Sequence, residues 1–370
     1  MRKCRFLRPV LLCMFLTAFA GNAAAAARPE GTCTPPGSWA NFTEPGTTIV
    51  RAWGAFFPPT GKFYAVGGRF DDTAGDDFTN VNIYDPATDT WSTSTATFSD
   101  NQVNNMVGGV LDFGGTQYIV AVGGSAAGAT TSSAEVRQYD PVADTITTLT
   151  NDAWPGVGAG NTILPGGAAV YENKLFVFGG FDIGTGMVDT IWQFDPSAAE
   201  GSRWTQMTAV LPTAIGYIPT ATSGDLIYLL GGSEWDAGGA TIFDSAETSV
   251  YDPDTDTITP ITPIPRVVAE TRAVTQTDGT IWVLGGGRTA PNPNNEVDIY
   301  DPVGDAWSLG PPFVSARRNM ASDIDPATGS IWVVGGYDTD GTTPLSVSET
   351  FTACVPVDDT IFADGFDPPI

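Results

Sequence analysis

Several residue types are scarce or missing in this sequence, and each shortage excludes a class of chemistry. The 370-residue chain contains no histidine and only four cysteines. Without an imidazole it cannot build a histidine-activated catalytic triad or a histidine-based metal site. Cys4 and Cys13 lie in the N-terminal segment, whereas Cys33 and Cys354 stand near opposite ends of the remaining chain. Histidine-dependent catalysis is therefore excluded for this chain.

Positive charge is also scarce, since 16 Lys and Arg oppose 42 Asp and Glu to give a formal net charge of −26. Nucleic-acid binding needs clustered basic residues, so no nucleic-acid partner is expected. The acidic balance is typical of a soluble secreted protein. Calcium binding is the alternative, because Asp252, Asp254 and Asp256 alternate as at the start of a calcium loop. The glycine and the closing glutamate of such a loop are missing, so we expect neither a metal nor another cofactor.

Long apolar runs are missing after the N-terminus. Residues 1–27 place four basic residues before a short apolar core and an alanine-rich end, which predicts a signal peptide and export to the periplasm or the exterior. The apolar core is too short for a membrane span, and none is expected later. Residues 28–37 form a Pro- and Gly-rich lead. Residues 356–370 form an acidic-aromatic tail, either a disordered end or a sorting signal.

An apolar run that ends in two glycines occurs six times. The copies are FYAVGG, IVAVGG, LFVFGG, IYLLGG, IWVLGG and IWVVGG, which end at Gly68, Gly124, Gly180, Gly232, Gly286 and Gly336. A second element follows each of the first five copies as an aromatic residue, Asp and Pro. Its aspartates are Asp85, Asp140, Asp195, Asp252 and Asp301. A large apolar residue follows each aspartate, as Trp307 follows Asp301.

Each repeat predicts four short antiparallel strands, which we term a to d. The β-branched and aromatic run before the diglycine is typical of a buried strand. The Asp-Pro pair begins a turn, because proline fixes φ and aspartate accepts hydrogen bonds from its own turn. A single four-stranded sheet cannot bury both of its apolar faces, whereas sheets stacked around an axis can. The sequence therefore predicts an all-β fold.

These motifs resemble kelch repeats of the secreted bacterial type, and the array over residues 38–355 resembles a six-bladed β-propeller. The same superfamily includes galactose oxidase, whose copper site needs histidines and a cross-linked cysteine. This chain has no histidine, so that copper chemistry is rejected.

The propeller resemblance implies how the ring closes. The sixth repeat lacks its own d strand, and the segment around Trp39 resembles one. We therefore expect the N-terminal strand to complete the C-terminal blade. Cys33 and Cys354 then fall in the same c–d turn, which predicts a disulfide bond between them in an oxidising compartment.

The alternation of strand direction places the b–c loops and the d–a crossovers on one face, and this variable face is the expected binding face. Residues that open the a strands should surround the channel mouth there. The ligand-binding candidates are Arg51, Asn105, Tyr217, Glu270, Arg272, Arg317 and Arg318, and Trp53, Asn104, Asn161 and Asn319 open the same strands. Arginines suit a carboxylate or a sugar, although structural ion pairs with neighbouring blades are the simpler alternative.

Three functions fit these features. The first is an exported, monomeric binding module that holds a glycan or a protein. The second is an enzyme similar to the kelch-type sialic acid mutarotases, in which Glu270 would be the general acid or base. The third is a structural part of a larger surface assembly.

Overall fold

The computed structural model describes residues 37–288 and 293–352, all within one compact unit, Pro35–Val355. These residues form six four-stranded antiparallel sheets. The first strand, β1 (Trp39–Asn41), precedes blade 1, which consists of β2 (Trp53–Phe57), β3 (Lys62–Val66), β4 (Val81–Asp85) and β5 (Thr90–Thr93). Blade 2 consists of β6 (Val107–Asp112), β7 (Gln117–Val122), β8 (Val136–Asp140) and β9 (Thr145–Thr148). A short 3-10 turn, Pro155–Val157, leads into blade 3.

Blade 3 consists of β10 (Ile163–Tyr171), β11 (Lys174–Asp182), β12 (Gly186–Phe194) and β13 (Trp204–Val210). Blade 4 consists of β14 (Thr220–Ser223), β15 (Leu226–Asp236), β16 (Thr241–Asp252) and β17 (Thr257–Pro260). Blade 5 consists of β18 (Arg272–Thr275), β19 (Ile281–Gly286), β20 (Asn294–Asp301) and β21 (Ala306–Leu309). Blade 6 contains β22 (Ala321–Ile324), β23 (Ile331–Val334) and β24 (Ser348–Phe351). In the described ranges, no helix is long and apolar enough to cross a membrane.

The ring closes as the sequence predicts. The sheet of blade 6 has the order β1-β24-β23-β22, so the N-terminal strand supplies the outer strand of the last blade. Trp39 pairs with Phe351 in register, just as Trp307 pairs with Tyr300 in blade 5. The indole of Trp39 donates a hydrogen bond to the carbonyl of Pro311 at 2.8 Å. Cys33 and Cys354 lie outside the described residues, so their disulfide stays a prediction.

The core lies between neighbouring blades and is built from the b strands. All four residues of β23 are buried, and so are all six of β19. The diglycines that end these strands allow the blades to approach closely. A Cβ atom at Gly335 would lie 1.9 Å from the carbonyl oxygen of Ile49 on the next blade. Gly335 also has φ of +65°, which other residues rarely adopt, so both demands require glycine there.

A tyrosine–aspartate pair fixes the c–d turn in four blades. In blade 5, the hydroxyl of Tyr300 donates to Asp305 at 2.7 Å, and Asp305 also accepts the backbone N–H of Thr262 from blade 4 at 2.9 Å. The hydrogen bond from Tyr300 and that N–H lower the pKa of Asp305. Burial and the aspartate raise the pKa of Tyr300. The other three pairs are Tyr84–Asp89, Tyr139–Asp144 and Tyr251–Asp256.

These turns also account for the aspartates that suggested calcium. Asp252 accepts hydrogen bonds from the backbone N–H groups of Asp254 and Thr255 within its own turn. Asp256 accepts from Tyr251 and from the N–H of Thr208 on the previous blade. Across the described part of the chain, no group of three or more Cys, Asp or Glu side chains could hold a metal ion.

Candidate functional site

Six a strands surround a central channel, and one residue just before the strand narrows its opening in five of the six blades. These five residues have the left-handed backbone conformation, which costs about 1–3 kcal/mol for a residue other than glycine. They are Arg51 (φ 58°), Asn105 (57°), Tyr217 (50°), Glu270 (54°) and Asn319 (53°), and we call them the mouth ring. Four of them are predicted ligand-binding candidates, Asn319 was expected to open an a strand beside them, and the structure brings all five together around one opening.

Backbone hydrogen bonds connect the mouth ring from blade to blade. The N–H of Asn105 donates to the carbonyl of Arg51 at 3.0 Å, and the N–H of Arg51 donates to that of Asn319 at 2.9 Å. The N–H of Asn319 donates to Glu270 at 2.6 Å, and that of Glu270 to Tyr217 at 3.3 Å. Arg51, Asn319 and Glu270 therefore both donate and accept across a blade boundary, whereas Asn105 only donates and Tyr217 only accepts, and these bonds offset the strain of the conformation.

Blade 3 interrupts the mouth ring, which corrects the expectation for Asn161. In four other blades, the residue before the ring residue pairs with the residue after the diglycine, as Val50 pairs with Arg69. In blade 3, Leu164 pairs with Phe181, so Pro165 occupies the ring position. Proline has no N–H to donate and cannot adopt a positive φ. Asn161 has a positive φ but lies outside the mouth ring, and its carbonyl accepts a hydrogen bond from the N–H of Ser132.

Arginines converge on Tyr337 on the blade 1 and blade 6 side of the mouth. The Tyr337 hydroxyl accepts hydrogen bonds from Arg51 Nε and Arg69 Nη2, both at 3.1 Å, and donates to Asp72. The Arg318 guanidinium lies 4.8 Å from the centre of the Tyr337 ring. Arg51 is half-buried, and in the described part of the chain its two Nη atoms make no hydrogen bond or ion pair. These atoms are available to a ligand.

Glu270 lies at the centre of an ion-pair group. Its side chain is only 2% exposed. One carboxylate oxygen accepts from Arg318, and the other lies 3.2 Å from Arg288 Nη1. Because both oxygens face a guanidinium, the carboxylate is held as an anion that orients two arginines. Arg318 in turn donates to the side-chain oxygen of Asn319 at 2.7 Å.

Arg317 does not reach the mouth, contrary to its place among the candidates. Its side chain is fully buried and ion-paired with the equally buried Glu349. The guanidinium also donates to the carbonyls of Ser315 and Val347. Other blades have an apolar residue two positions before the ring residue, as Ile49 precedes Arg51, so this position belongs to the core. The simpler alternative from the sequence, a structural ion pair, describes Arg317.

An aromatic group faces the arginines across the mouth. Phe181 lies between Tyr217 and Trp235, with ring centres 5.9 and 6.0 Å away. Phe181 and Trp235 are half-buried and stand near the ends of the long b–c hairpins of blades 3 and 4. We call these three rings the aromatic wall. Burial raises the pKa of Tyr217, while the positive charges of Arg51, Arg288 and Arg318 act in the opposite direction.

Below the mouth ring, the channel widens from a neck to a cavity. The neck encloses about 30 Å³, enough for one or two waters, and the cavity below it encloses about 480 Å³. Arg272 lines both spaces, so this candidate lies deeper than the mouth. Asp323 lines the cavity and accepts the backbone N–H of Phe56 at 2.6 Å.

Sequence reasoning missed Arg69, Arg288, Tyr337 and Phe181 at the mouth. Three of them follow a diglycine directly, and Arg288 is one residue further along. The pairing of this position with the residue before the mouth ring fixes it at the mouth. The residue after each diglycine was therefore the signal that could have found them. Asp323, inside the channel, carries no comparable signal.

Similarity to known proteins agrees with this geometry. The Kelch motif family profile matches residues 271–313, which cover blade 5. The chain is a kelch-repeat β-propeller. A solved structure of YjhT superimposes on 84% of this chain and on 95% of its own chain. The TM-score is 0.59 and the sequence identity is 15%, so the two proteins share a fold.

Curated relatives of this kelch propeller are about a quarter identical to it over the aligned residues. Kelch-like protein 36 of Bos taurus is 26% identical over 274 residues, which cover 71% of this chain and 40% of the relative. Kelch-like protein terF of Aspergillus terreus is 27% identical over 61% of this chain and 48% of the relative. Beta-scruin of Limulus polyphemus is 27% identical over a region that covers 46% of this chain and 18% of the relative. The chain thus spans less than half the length of these relatives. Kelch propellers are a general interaction fold that typically binds proteins.

Proposed function

We propose that this kelch propeller is an exported, monomeric binding module that holds an acidic glycan at its channel mouth. The observation that carries the proposal is the Arg51 guanidinium, whose two Nη atoms, termed its fork, are unpaired in the described part of the chain. A guanidinium pairs with a carboxylate through two parallel hydrogen bonds, and the two Nη atoms of Arg51 have no acceptor in the described part of the chain. Tyr337 fixes the guanidinium from one side, so little side-chain entropy would be lost on binding.

The aromatic wall favours a sugar as the carrier of that carboxylate. Trp235, Phe181 and Tyr217 offer flat apolar surfaces beside the arginines, and the less polar face of a sugar ring can stack on such surfaces. A pocket of this kind combines an apolar wall with a few polar groups that orient the ligand. A protein ligand would present its carboxylate on an acidic peptide, which is the alternative outcome of the test.

The distribution of charge supports an anionic ligand. Five of the 16 basic residues lie at the mouth or in the channel: Arg51, Arg69, Arg272, Arg288 and Arg318. The rest of the surface is strongly acidic and repels anions. A positive opening in an acidic surface concentrates the field there and directs an anionic ligand to the mouth.

A matched pair of sugars tests the proposal. Galacturonic acid oligomers and galactose oligomers differ in the carboxylate at C6, so titration calorimetry with both isolates its contribution. We expect the acidic oligomer to bind at least about tenfold more tightly. Arg51→Asn and Trp235→Ala should each weaken binding about tenfold or more, because one removes the fork and the other removes stacking area.

The control variant is Lys62→Met, which changes the net charge by the same amount on the opposite face, where Lys62 pairs with Asp85 at 3.1 Å. It should bind like the wild type. Equal affinity for the acidic and neutral oligomers would refute a carboxylate site. Binding of a glutamate-rich peptide in place of either sugar would keep the Arg51 site and replace the glycan with a protein ligand.

The enzymatic alternative rests on Glu270, which lies at the mouth in a left-handed backbone conformation. Both of its oxygens already face arginines, so it is better suited to orienting those arginines than to moving a proton. Exchange NMR on the anomers of N-acetylneuraminic acid tests this alternative. An accelerated exchange that Glu270→Gln abolishes would establish catalysis and displace the binding-only proposal.

A further inference from the structure

The cavity below the neck is lined almost entirely by uncharged groups, and about half of them are small. Its walls come from the six a strands and are rich in Gly, Ala, Ser and Thr, as at Gly54, Gly108, Ala168 and Thr222. The lining residues from β2, β6, β10 and β14 include no titratable side chain. Arg272 is the one cation on β18 among the described lining residues, and Asp323 is the one anion on β22. Glu270 and Arg51 line only the neck above.

Arg272 has no partner in this part of the chain. In the described ranges, no carboxylate oxygen lies within 4 Å of its guanidinium, and it donates no hydrogen bond. Asp323 is near enough to interact with it electrostatically but directs one oxygen to the N–H of Phe56. Surrounding protein lowers the pKa of Arg272 to about 10, which still leaves it charged at neutral pH. Because Arg272 is only partly buried and no carboxylate neutralises it directly, its charge can attract a counter-ion from the cavity.

We propose that Arg272 holds a small monovalent anion, such as chloride, in the channel cavity. The neck between the mouth and the cavity encloses about 30 Å³, which accommodates a halide but not a sugar ring. Thr275 and Thr222 line the same cavity, but their hydroxyls already donate to the carbonyls of Thr222 and Val170, so water completes the shell of the ion. This site is separate from the carbohydrate site, and either one can exist without the other.

Asp323 makes the site sensitive to pH. Burial raises the pKa of Asp323 to about 6, and Arg272 opposes this rise only weakly. Below about pH 6 the carboxyl is neutral, and an anion meets the field of Arg272 alone. Above it, the carboxylate repels the anion. Among the described lining residues of the cavity no other group titrates in this range, so anion affinity should fall as the pH rises through about 6.

Chloride NMR tests the site in the whole protein. Broadening of the ³⁵Cl signal at millimolar chloride reports ions that exchange with the cavity. We expect broadening at pH 5 that decreases by pH 7.5 for the wild type. Arg272→Met should abolish the broadening, whereas Arg51→Asn, which removes the guanidinium at the mouth, should retain it. Lys62→Met should behave like the wild type.

Asp323→Asn keeps the test decisive even if Arg272→Met fails to fold. Removing one nearby negative charge should tighten chloride binding about tenfold at pH 7.5 and remove the dependence on pH. Crystals soaked in bromide should show an anomalous peak within hydrogen-bonding distance of Arg272. The proposal is overturned if Arg272→Met, folded by circular dichroism, retains the broadening, or if Asp323→Asn leaves chloride affinity unchanged.

Discussion

The two faces of this propeller use repeated positions in opposite ways. On the c–d turn face, the same pair recurs in four blades, with a tyrosine hydroxyl donating to an aspartate five residues later. On the mouth face, the backbone geometry also recurs, with φ between 50° and 58° in five blades. The side chains there are Arg, Asn, Tyr, Glu and Asn, and proline replaces them in blade 3.

This difference separates scaffold from site. Where geometry and chemistry both repeat, each blade has the same task, which is to join its neighbour through hydrogen bonds such as that from Thr262 to Asp305. Where the backbone conformation repeats but the side chain varies, the backbone holds each side chain at the mouth and each blade contributes a different chemical group. A strained backbone that carries diverse polar side chains is characteristic of functional positions.

Glu349→Ala tests whether the mouth face also contains scaffold. Glu349 is fully buried, pairs with Arg317 and accepts the N–H groups of Val314 and Ser315. Its removal leaves a buried arginine without a partner, so the free energy of unfolding should fall by about 3–5 kcal/mol in a urea titration. Lys62→Met, which breaks the more exposed pair with Asp85, should cost about 1 kcal/mol or less. Similar effects for the two variants would contradict the structural role of Arg317.

Asp323 should give the stability a dependence on pH opposite to that of ordinary carboxylates. Its folded pKa of about 6 lies above the unfolded value near 4, so the stabilisation of its neutral form is complete below about pH 4. This contribution is lost as the pH rises to about 6, by about 1–3 kcal/mol. The difference in unfolding free energy between wild type and Asp323→Asn should change over that interval. A constant difference from pH 4 to 7 would show that Asp323 is normally ionised.

Asp144→Ala tests the c–d turn face and should cost about 1–2 kcal/mol in chemical unfolding, through loss of hydrogen bonds from Tyr139 and from Thr95 of the previous blade. Burial alone would raise the pKa of Asp144, but the hydrogen bonds from Thr95 outweigh it and lower that pKa. Its contribution is therefore present above about pH 4 and lost as the pH falls further. A variant with unchanged acid sensitivity would count against this assignment.

Arg51→Asn should have the smallest effect on stability. Asparagine already occupies the mouth ring in blades 2 and 6, and it tolerates the left-handed conformation better than most residues. The free energy of unfolding should stay within about 0.5 kcal/mol of the wild type, while binding of the acidic oligomer weakens. A large loss of stability would place Arg51 with the scaffold and remove the distinction between the two faces.

The fold could be predicted because short local sequence patterns determine the strands and turns of each blade. Apolar runs, diglycines and Asp-Pro turns each constrain the nearby backbone, and six copies in phase leave one architecture. Even the closing strand was predictable, because Trp39 carries the same signal as Trp307. The blade 3 register was not, since Asn161 matched the spacing while Pro165 took the ring position.

The site was predictable only in its location. Spacing placed Arg51, Tyr217 and Glu270 at the mouth, but partner choice depends on side chains brought together from distant blades. Tyr337 and Arg69 are 268 residues apart. Whether an arginine points into the mouth, as Arg318 does, or into the core, as Arg317 does, depends on a one-residue offset relative to the ring.

A crystal structure of the protein with a bound galacturonic acid oligomer tests the central claim most directly. We predict that the carboxylate lies within hydrogen-bonding distance of both Nη atoms of Arg51, with a sugar ring stacked against Trp235. A ligand found on the c–d turn face, or at the mouth with its carboxylate directed away from Arg51, would contradict the account.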